Sequence, residues 1–501
     1  MARGKSTLRP AIGRFARRHI LALLALTLPG AAAAQDTGDF ASVRALVRRL
    51  IVERNIPSVA IAAGRDGRIV WEEGFGWADR ERRVRADPTT MYSLASISKP
   101  ITGTGLMVLV QRGRVELDRP VNDYLGVGKI TACEGAAAGA TVRRVANHTA
   151  GLPLHYQFFY EGDAYGRPSM DEAISRYGTL VTPPGVAFTY SNLGYGILER
   201  VIERVSGMSY DDYMRRNVFV PLGLGRMAVF TDAPSGDSVA VRYDGRGQPI
   251  PWYDFDHRGA SAVYASARDL AQFGMFHLAR SSGDRSRILS DAALDELHRP
   301  TARRFPTVQY GIGWATYDDD DGLRSLGHGG AMPGVATSLR IYPEADAVVV
   351  VLANSGGNAV VSEIARAVAR ALIPSRRDRP RSAPEAPATG FHPPPALLGT
   401  WAGALRTWQG TVPLQLVVDR DAVRIQLDRA PEAAVARPRW ESDRLTGSIP
   451  GTVPTPDASR RPGEIRFELR LIEGHLSGAM SVLAPDAYAL SSCARLERIA
   501  R

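Results

Sequence analysis

The stretch Met91-Tyr92-Ser93-Leu94-Ala95-Ser96-Ile97-Ser98-Lys99-Pro100 contains an S-x-x-K element. The residues after it predict a helix from about Ser96 to Gln111 that stops at Gly113. Three-residue spacing on a helix places Ser96 and Lys99 on one face, a side-chain length apart. A hydroxyl beside an amine is a nucleophile beside its base, provided that burial or a neighbouring charge keeps the amine neutral.

The distribution of lysine supports this interpretation. The chain holds 62 Lys and Arg residues, but lysine occurs only at Lys5, Lys99 and Lys129. Arginine cannot lose its proton in a protein, whereas a desolvated lysine can serve as a base. A lysine here, in a chain that otherwise uses arginine, is what base chemistry requires.

The N-terminus has the pattern of a targeting segment. A basic region ends at Arg17-Arg18, an apolar run covers residues 20–28, and small residues follow up to Ala34. This pattern predicts a signal peptide over residues 1–34, cut near Ala34, and a periplasmic or secreted protein without a stable membrane span. The formal charge of +10 falls to about +4 without the six basic residues of that segment. A nucleic-acid partner therefore gains little support.

Beyond the signal peptide, strand patterns occur at both ends of residues 35–373 and helical patterns in the middle. Hairpins are predicted at Asp66-Gly67 and at residues 343–346, and helices at 39–54, 192–205 and 360–372. The prediction is an α/β (α+β) domain with one antiparallel sheet built from both ends. Proline-rich residues 374–396 predict a linker, and alternating patterns over 397–501 predict a small all-β barrel or sandwich.

The cysteines and histidines give no support for a metal site or a cofactor. Cys133 and Cys493 are far apart in the sequence, and whether they form a disulfide or remain as two thiols stays open at this point. The nine histidines form no H-E-x-x-H pattern. We expect neither a metal nor a cofactor.

Three further stretches belong with the S-x-x-K element. They are Asn147-His148-Thr149-Ala150-Gly151-Leu152-Pro153, Tyr190-Ser191-Asn192 and Gly327-His328-Gly329-Gly330, the last expected to run along a sheet edge. In this order the motifs resemble the serine β-lactamase and penicillin-binding-protein superfamily. They look most like its branch of class C β-lactamases, D-aminopeptidases, D,D-carboxypeptidases and family VIII esterases. The resemblance covers roughly residues 35–373, and the C-terminal β module more weakly resembles lipocalin-like extensions of such proteins.

The resemblance implies acyl transfer through a serine. Ser96 would attack a carbonyl, with Lys99 or Tyr190 as the base, and sequence leaves that choice open. The backbone N–H groups of Ser96 and Ala331 would form the oxyanion hole beside Gly329 and Gly330. Asn192 would bind Lys99 or a substrate amide. His328 departs from the lysine that β-lactamases carry at this place, and Gly329 from a hydroxyl-bearing residue.

Because histidine is largely neutral near pH 7, His328 favours a peptidase or esterase over a β-lactamase. The expected substrates are small molecules or peptides, including D-amino-acid peptides of peptidoglycan, and carboxylic esters. A β-lactamase and a non-catalytic cell-wall binding or sensor protein remain as alternatives. The aromatic residues 156–160 either line the pocket or pack as a loop.

Overall fold

A computed structural model describes residues 40–234, 236–278, 288–318, 323–373, 390–441 and 443–500 of the chain. The predicted signal peptide, and residues 374–389 of the predicted linker, lie outside the described residues. The described residues belong to one compact unit. None of the helices in these ranges is long and apolar enough to cross a bilayer.

Among the described residues, the helices lie before residue 374. They are α1 (Ala41–Glu53), α2 (Ser98–Gln111), α3 (Val142–Ala146), α4 (Met170–Tyr177), α5 (Asn192–Ser206), α6 (Tyr210–Met214), α7 (Arg258–Ser261), α8 (Ala267–Leu278), α9 (Asp291–His298) and α10 (Asn358–Leu372). The predicted helices at 39–54, 192–205 and 360–372 correspond to α1, α5 and α10 and are confirmed within three residues at each end.

The strands occur on both sides of this helical region and fill the C-terminal part. Those before residue 374 are β1 (Ser58–Arg65), β2 (Arg68–Asp79), β3 (Val84–Arg85), β4 (Met91–Ser93), β5 (Thr131–Ala132), β6 (Tyr156–Tyr160), β7 (Thr179–Leu180), β8 (Met227–Val229), β9 (Tyr253–Phe255), β10 (Val263–Ser266), β11 (Ala302–Phe305), β12 (Val308–Tyr310), β13 (Ala315–Asp318), β14 (Arg324–Met332), β15 (Val335–Tyr342) and β16 (Ala347–Ala353). Those after it are β17 (Gly399–Thr407), β18 (Gly410–Val418), β19 (Val423–Leu427), β20 (Ala433–Ala434), β21 (Ala436–Glu441), β22 (Arg444–Pro450), β23 (Glu464–Ile472), β24 (His475–Ala484) and β25 (Tyr488–Ala500).

The central sheet joins the two ends of the first part, as the strand patterns predict. Its order is β11-β12-β13-β14-β15-β16-β1-β2-β3, with β1 antiparallel to both β16 and β2. Along β1 and β16, side chains alternate between two cores. Val59, Ile61, Val349 and Val351 pack with α1 and α10, while Ala60, Ala62, Val348 and Val350 belong to the larger core on the opposite face. Burial on both faces explains why β16 is an unbroken apolar run.

The expectation that residues 327–330 run along a sheet edge needs a correction. Strand β14 is internal, because it pairs with β15 through Met332 and with β13 on its other side. However, the pairing with β13 ends at Gly327, since β13 begins only at Ala315 opposite it. Residues 328–332 therefore have no strand partner on that side among the described residues, and their backbone is open to the site.

The C-terminal module is a nearly closed antiparallel barrel. A barrel is one of the two all-β forms, barrel or sandwich, that the sequence predicts. Its strands run in the order β20-β19-β18-β17-β25-β24-β23-β22-β21. The start of β25 pairs with β6, and β6 pairs with β9, so that backbone hydrogen bonding continues from the barrel into the first part. A disulfide between Cys133 and Cys493 also joins the two parts, which resolves the question that the sequence left open.

Candidate active site

Ser96 lies on a tight turn between β4 and α2. A one-turn 3-10 helix covers Ala95–Ile97. Ser96 is partly exposed in it, and both of its neighbours in the turn are buried. The α-helix itself begins at Ser98, two residues later than predicted, because Pro100 has no N–H to donate to the carbonyl of Ser96. Ala95 has a φ of +48°, a left-handed conformation that costs a non-glycine residue roughly 1–2 kcal/mol. This strained turn presents the Ser96 side chain to solvent.

Lys99 has no exposed surface, and its amine has three polar neighbours. The Nζ atom lies 3.1 Å from Ser96 Oγ, 2.7 Å from Asn192 Oδ1 and 3.3 Å from the carbonyl oxygen of Ala260. Burial lowers the pKa of Lys99 well below its ordinary value, and the positive charge of Arg304 lowers it further. The amine is therefore held in the neutral form that a base requires.

The geometry around Lys99 orients its lone pair. A neutral amine carries two hydrogens and one lone pair. The Asn192 Oδ1 atom and the Ala260 carbonyl oxygen can only accept hydrogen bonds, so they take both hydrogens. The lone pair of the neutral amine is then left for the side of the third neighbour, Ser96 Oγ, which lies 3.1 Å away, within reach of proton transfer.

Tyr190 lies against the same two residues. The centre of its ring is 4.7 Å from Lys99 Nζ, and Ser96 acts on the pKa of its hydroxyl as a hydrogen-bond partner. Burial raises the pKa of Tyr190 above its ordinary value of 10, an effect that the hydrogen bond to Ser96 and the charge of Arg304 only partly offset. The hydroxyl accordingly keeps its proton at neutral pH. This distinguishes the two candidate bases: the environment favours loss of the proton at Lys99 and opposes it at Tyr190.

The loop of His148 supports Tyr190 and Asn192. His148 has a φ of +64°, and its Nδ1 accepts a hydrogen bond from the backbone N–H of Ser191 at 3.2 Å. Ser191 in turn caps α5, since its Oγ accepts from the backbone N–H of Gly194. Asn192 is the first residue of that helix. The H-T-x-G-L-P motif thus fixes the entry to the helix that carries Asn192.

Strand β14 passes directly beside the Ser96 turn. A Cβ atom on Gly330 would lie 2.1 Å from the carbonyl oxygen of Leu94, so only glycine allows this approach. The next residue, Ala331, is exposed and lines the same cavity as Ser96. Gly329 is also exposed but does not line the cavity, and a Cβ there would meet its nearest neighbour at an ordinary 3.6 Å.

His328 is buried and satisfied by hydrogen bonds at both ring nitrogens. Its Nδ1–H donates to the carbonyl oxygen of Gly329 at 2.6 Å, and its Nε2 accepts from the Tyr310 hydroxyl at 2.9 Å. Burial lowers the pKa of His328 to about 3, and the proximity of Lys99 contributes. His328 therefore supplies no positive charge at neutral pH.

The cavity in front of Ser96 has a volume of about 680 Å³. Three rings of the aromatic strand β6 line it, which decides the open question about residues 156–160 in favour of the pocket. The turn between β24 and β25 of the barrel also reaches it through Pro485 and Asp486, and Tyr160 Oη donates to the carbonyl oxygen of Asp486 at 2.7 Å. The lining also includes His257 of the Asp256-His257 pair, which no sequence motif marked.

The family model described as β-lactamase matches residues 43–373, and the chain belongs to this family of serine hydrolases. Penicillin-binding protein 4 of Amycolatopsis lactamdurans is 29% identical over 326 residues, which are 61% of this chain and 83% of that protein.

Solved structures extend the likeness to the fold. The crystal structure of SurE is 24% identical with a TM-score of 0.61, covering 91% of this chain and 98% of that chain. A D-stereospecific amidohydrolase from Streptomyces sp. is 24% identical with a TM-score of 0.52, covering 65% of this chain and 98% of that chain. The SurE structure covers 91% of this chain, so the likeness in fold extends beyond residues 43–373, the part that the family model matches.

Proposed function

We propose that this protein is a secreted serine hydrolase that forms an acyl-enzyme at Ser96. Its substrates are amides of D-amino-acid peptides, of the kind found in peptidoglycan, or carboxylic esters. The observation that carries the proposal is the buried amine of Lys99, 3.1 Å from Ser96 Oγ and hydrogen-bonded to two groups that can only accept. Signal-peptide cleavage near Ala34 would release the protein to the periplasm or the medium.

In the proposed acylation, the Lys99 lone pair takes the hydroxyl proton while Ser96 Oγ bonds to the substrate carbonyl carbon. The carbonyl oxygen becomes an oxyanion between the backbone N–H groups of Ser96 and Ala331. When the tetrahedral intermediate collapses, the bond to the leaving amine or alcohol breaks. The proton on Lys99 then passes to that leaving group, with the protonated Tyr190 hydroxyl beside Ser96 as a relay.

The environment of His328 supports the proposed substrate class. A neutral histidine with both nitrogens engaged gives no fixed positive charge for a β-lactam carboxylate, which disfavours β-lactam hydrolysis. The cavity of about 680 Å³, lined by aromatic rings of β6, has room for a short peptide or an acyl chain. The likeness to a D-stereospecific amidohydrolase agrees with this class of substrate.

The test compares three probes on the same purified protein: D-amino-acid p-nitroanilides, p-nitrophenyl esters and a fluorescent penicillin. Unchanged protein should turn over an anilide or an ester, whereas Ser96→Ala should not. Lys99→Arg should be equally inactive, because arginine does not give up its proton. Lys129→Arg is the matched control, since Lys129 is a lysine outside the cavity that donates to the carbonyl of Leu125.

The outcomes separate the alternatives. Fast turnover of the penicillin would replace the proposed substrate class by β-lactams. Slow labelling of Ser96 without turnover of any probe would favour a sensor protein. The proposal would be overturned if neither labelling nor turnover of any probe depends on Ser96.

A further inference from the structure

A buried carboxylate, Asp256, holds a histidine that is one of the residues lining the cavity. Asp256 Oδ2 accepts hydrogen bonds from His155 Nε2 at 2.6 Å and from Gln157 Nε2 at 2.9 Å. Asp256 Oδ1 accepts from His257 Nδ1 at 2.6 Å. All four of these side chains are at most 1% exposed. Such a cluster, outside the machinery of Ser96 and Lys99, calls for a chemical reason.

The three donors fix the charge and the tautomer of the cluster. Burial alone raises the pKa of Asp256, but the electrostatic interactions and hydrogen bonds with His155 and His257 outweigh it and hold the pKa well below its ordinary value. The ionised carboxylate keeps the proton of His257 on Nδ1. The lone pair of His257 is then on Nε2, for which the described residues give no hydrogen-bond partner. His257 is one of the residues that line the cavity, together with Ser96 and Asn192.

We propose that His257 is a second base of this site and activates the water that hydrolyses the acyl-enzyme; this rests on the proposed function. Water oxygen bonds to the carbonyl carbon of the Ser96 ester while one water proton moves to His257 Nε2. The tetrahedral intermediate then collapses, the bond between the carbonyl carbon and Ser96 Oγ breaks, and that proton returns to Oγ. The products are the free acid, the Ser96 hydroxyl and neutral His257.

Neither candidate base for acylation is well suited to this second step. The lone pair of Lys99 is directed at Ser96 Oγ, which in the acyl-enzyme is the ester oxygen and not the incoming water. The Tyr190 hydroxyl keeps its proton. His257 is neutral at pH 7, because burial lowers its pKa despite the opposing effect of Asp256. The other titratable groups that act on the pKa of His257 are His155 and Lys99, and both lower it.

The barrel helps to position this base. Arg460 donates from its guanidinium to Gln157 Oε1 at 2.7 Å, and Gln157 donates to Asp256. Gln157 is also paired with Tyr488 of β25 in the sheet. The line of contacts therefore runs from the barrel through Gln157 and Asp256 to His257. Arg460 and Gln157 are positioning residues, since they act on the water only through His257.

The test is His257→Asn, because the asparagine amide can still donate to Asp256 but has no basic nitrogen. With a p-nitrophenyl ester, kcat/KM reports acylation and should stay within about threefold, while kcat and KM fall together by about 100-fold. Intact mass spectrometry should show the acyl adduct of Ser96 accumulating. Hydroxylamine, which attacks esters without a base, should restore turnover. His392→Asn, a change at an exposed histidine outside the cavity, is the matched control.

A parallel fall of kcat/KM and kcat without an adduct would overturn the role of His257, while Ser96-dependent turnover by unchanged protein would still uphold the proposed function. Absence of Ser96-dependent turnover in unchanged protein would overturn both. If His257→Asn does not fold, Gln157→Leu leaves His257 in place and must still lower kcat more than kcat/KM. An unchanged kcat in that variant would count against the proposal.

Discussion

Replacing Gly330 by alanine should disable the proposed oxyanion hole, whereas the same change at Gly329 should be tolerated. A Cβ atom at Gly330 would lie 2.1 Å from the Leu94 carbonyl oxygen and 2.2 Å from Thr337 Oγ1, and the Thr337 hydroxyl itself donates to that carbonyl. At Gly329 the nearest atom would be 3.6 Å away. Hard-sphere contacts require β14 to move away from Leu94 by about 1 Å in the first variant and not in the second.

That displacement sets the size of the effect. Misplacing a catalytic group by about 1 Å costs about 100-fold in rate, and removing one oxyanion donor costs about 100- to 1000-fold in kcat. We therefore expect kcat of Gly330→Ala to fall about 100-fold or more, with a much smaller change in KM, because Ala331 N–H acts mainly on the developing negative charge. Overpacking should also lower the free energy of unfolding by about 1–3 kcal/mol.

Steady-state hydrolysis of a p-nitrophenyl ester gives kcat and KM for both variants, and thermal unfolding shows that each is folded at the assay temperature. A folded Gly330→Ala protein with kcat within threefold of the unchanged protein would refute the assignment of Ala331 to the oxyanion hole. An equal loss in Gly329→Ala would also refute the reasoning, because that position has room for the added methyl group.

Three further changes test the electrostatics. Lys99→Met should abolish hydrolysis but raise the free energy of unfolding at pH 7, because the amine is neutral in the folded protein and charged in the unfolded one. This gain in stability should shrink as the pH rises towards 10.5, and denaturant unfolding at two pH values would measure it. Arg304→Gln removes a charge that lowers the pKa of Lys99, so the acidic limb of kcat/KM against pH should move to higher pH, and an unmoved limb would contradict the role of Lys99 as base. Burial raises the pKa of Glu199 from 4.5 to about 8, so unchanged protein should lose stability as pH rises through this range. Glu199→Gln should flatten that dependence of the unfolding temperature on pH, and an identical slope would argue against a protonated Glu199.

Much of the fold followed from local patterns. The period of apolar residues predicted α1, α5 and α10 because each buries one stripe against a sheet or a helix neighbour. Asp66-Gly67 predicted the turn between β1 and β2, where both residues have a positive φ. The start of α2 was predicted two residues early, since the effect of Pro100 on the first turn depends on hydrogen bonds that a periodicity does not contain.

The site was predictable to a similar degree. The spacing of Ser96 and Lys99 predicted that they lie together, and they do, at 3.1 Å. Motif order brought Tyr190, Asn192 and the His328 strand to attention, and these residues lie around the same pair. No sequence signal marked Asp256-His257 or Asp486. Their relevance arises from contacts between β6, β9 and β25, which are distant in the sequence.

The sequence by itself determined the chemistry that is available: one lysine three residues after a serine, in a chain that otherwise uses arginine. Spacing on a helix is local, so the backbone alone brings this pair together. Only the tertiary structure decided the protonation of the pair, because burial, the two acceptors on Nζ and the charge of Arg304 come from other segments. The tertiary structure also decided which other groups line the cavity with Ser96. That cavity is formed by the packing of distant strands and a barrel turn, and the spacing of two residues along the sequence does not encode such packing.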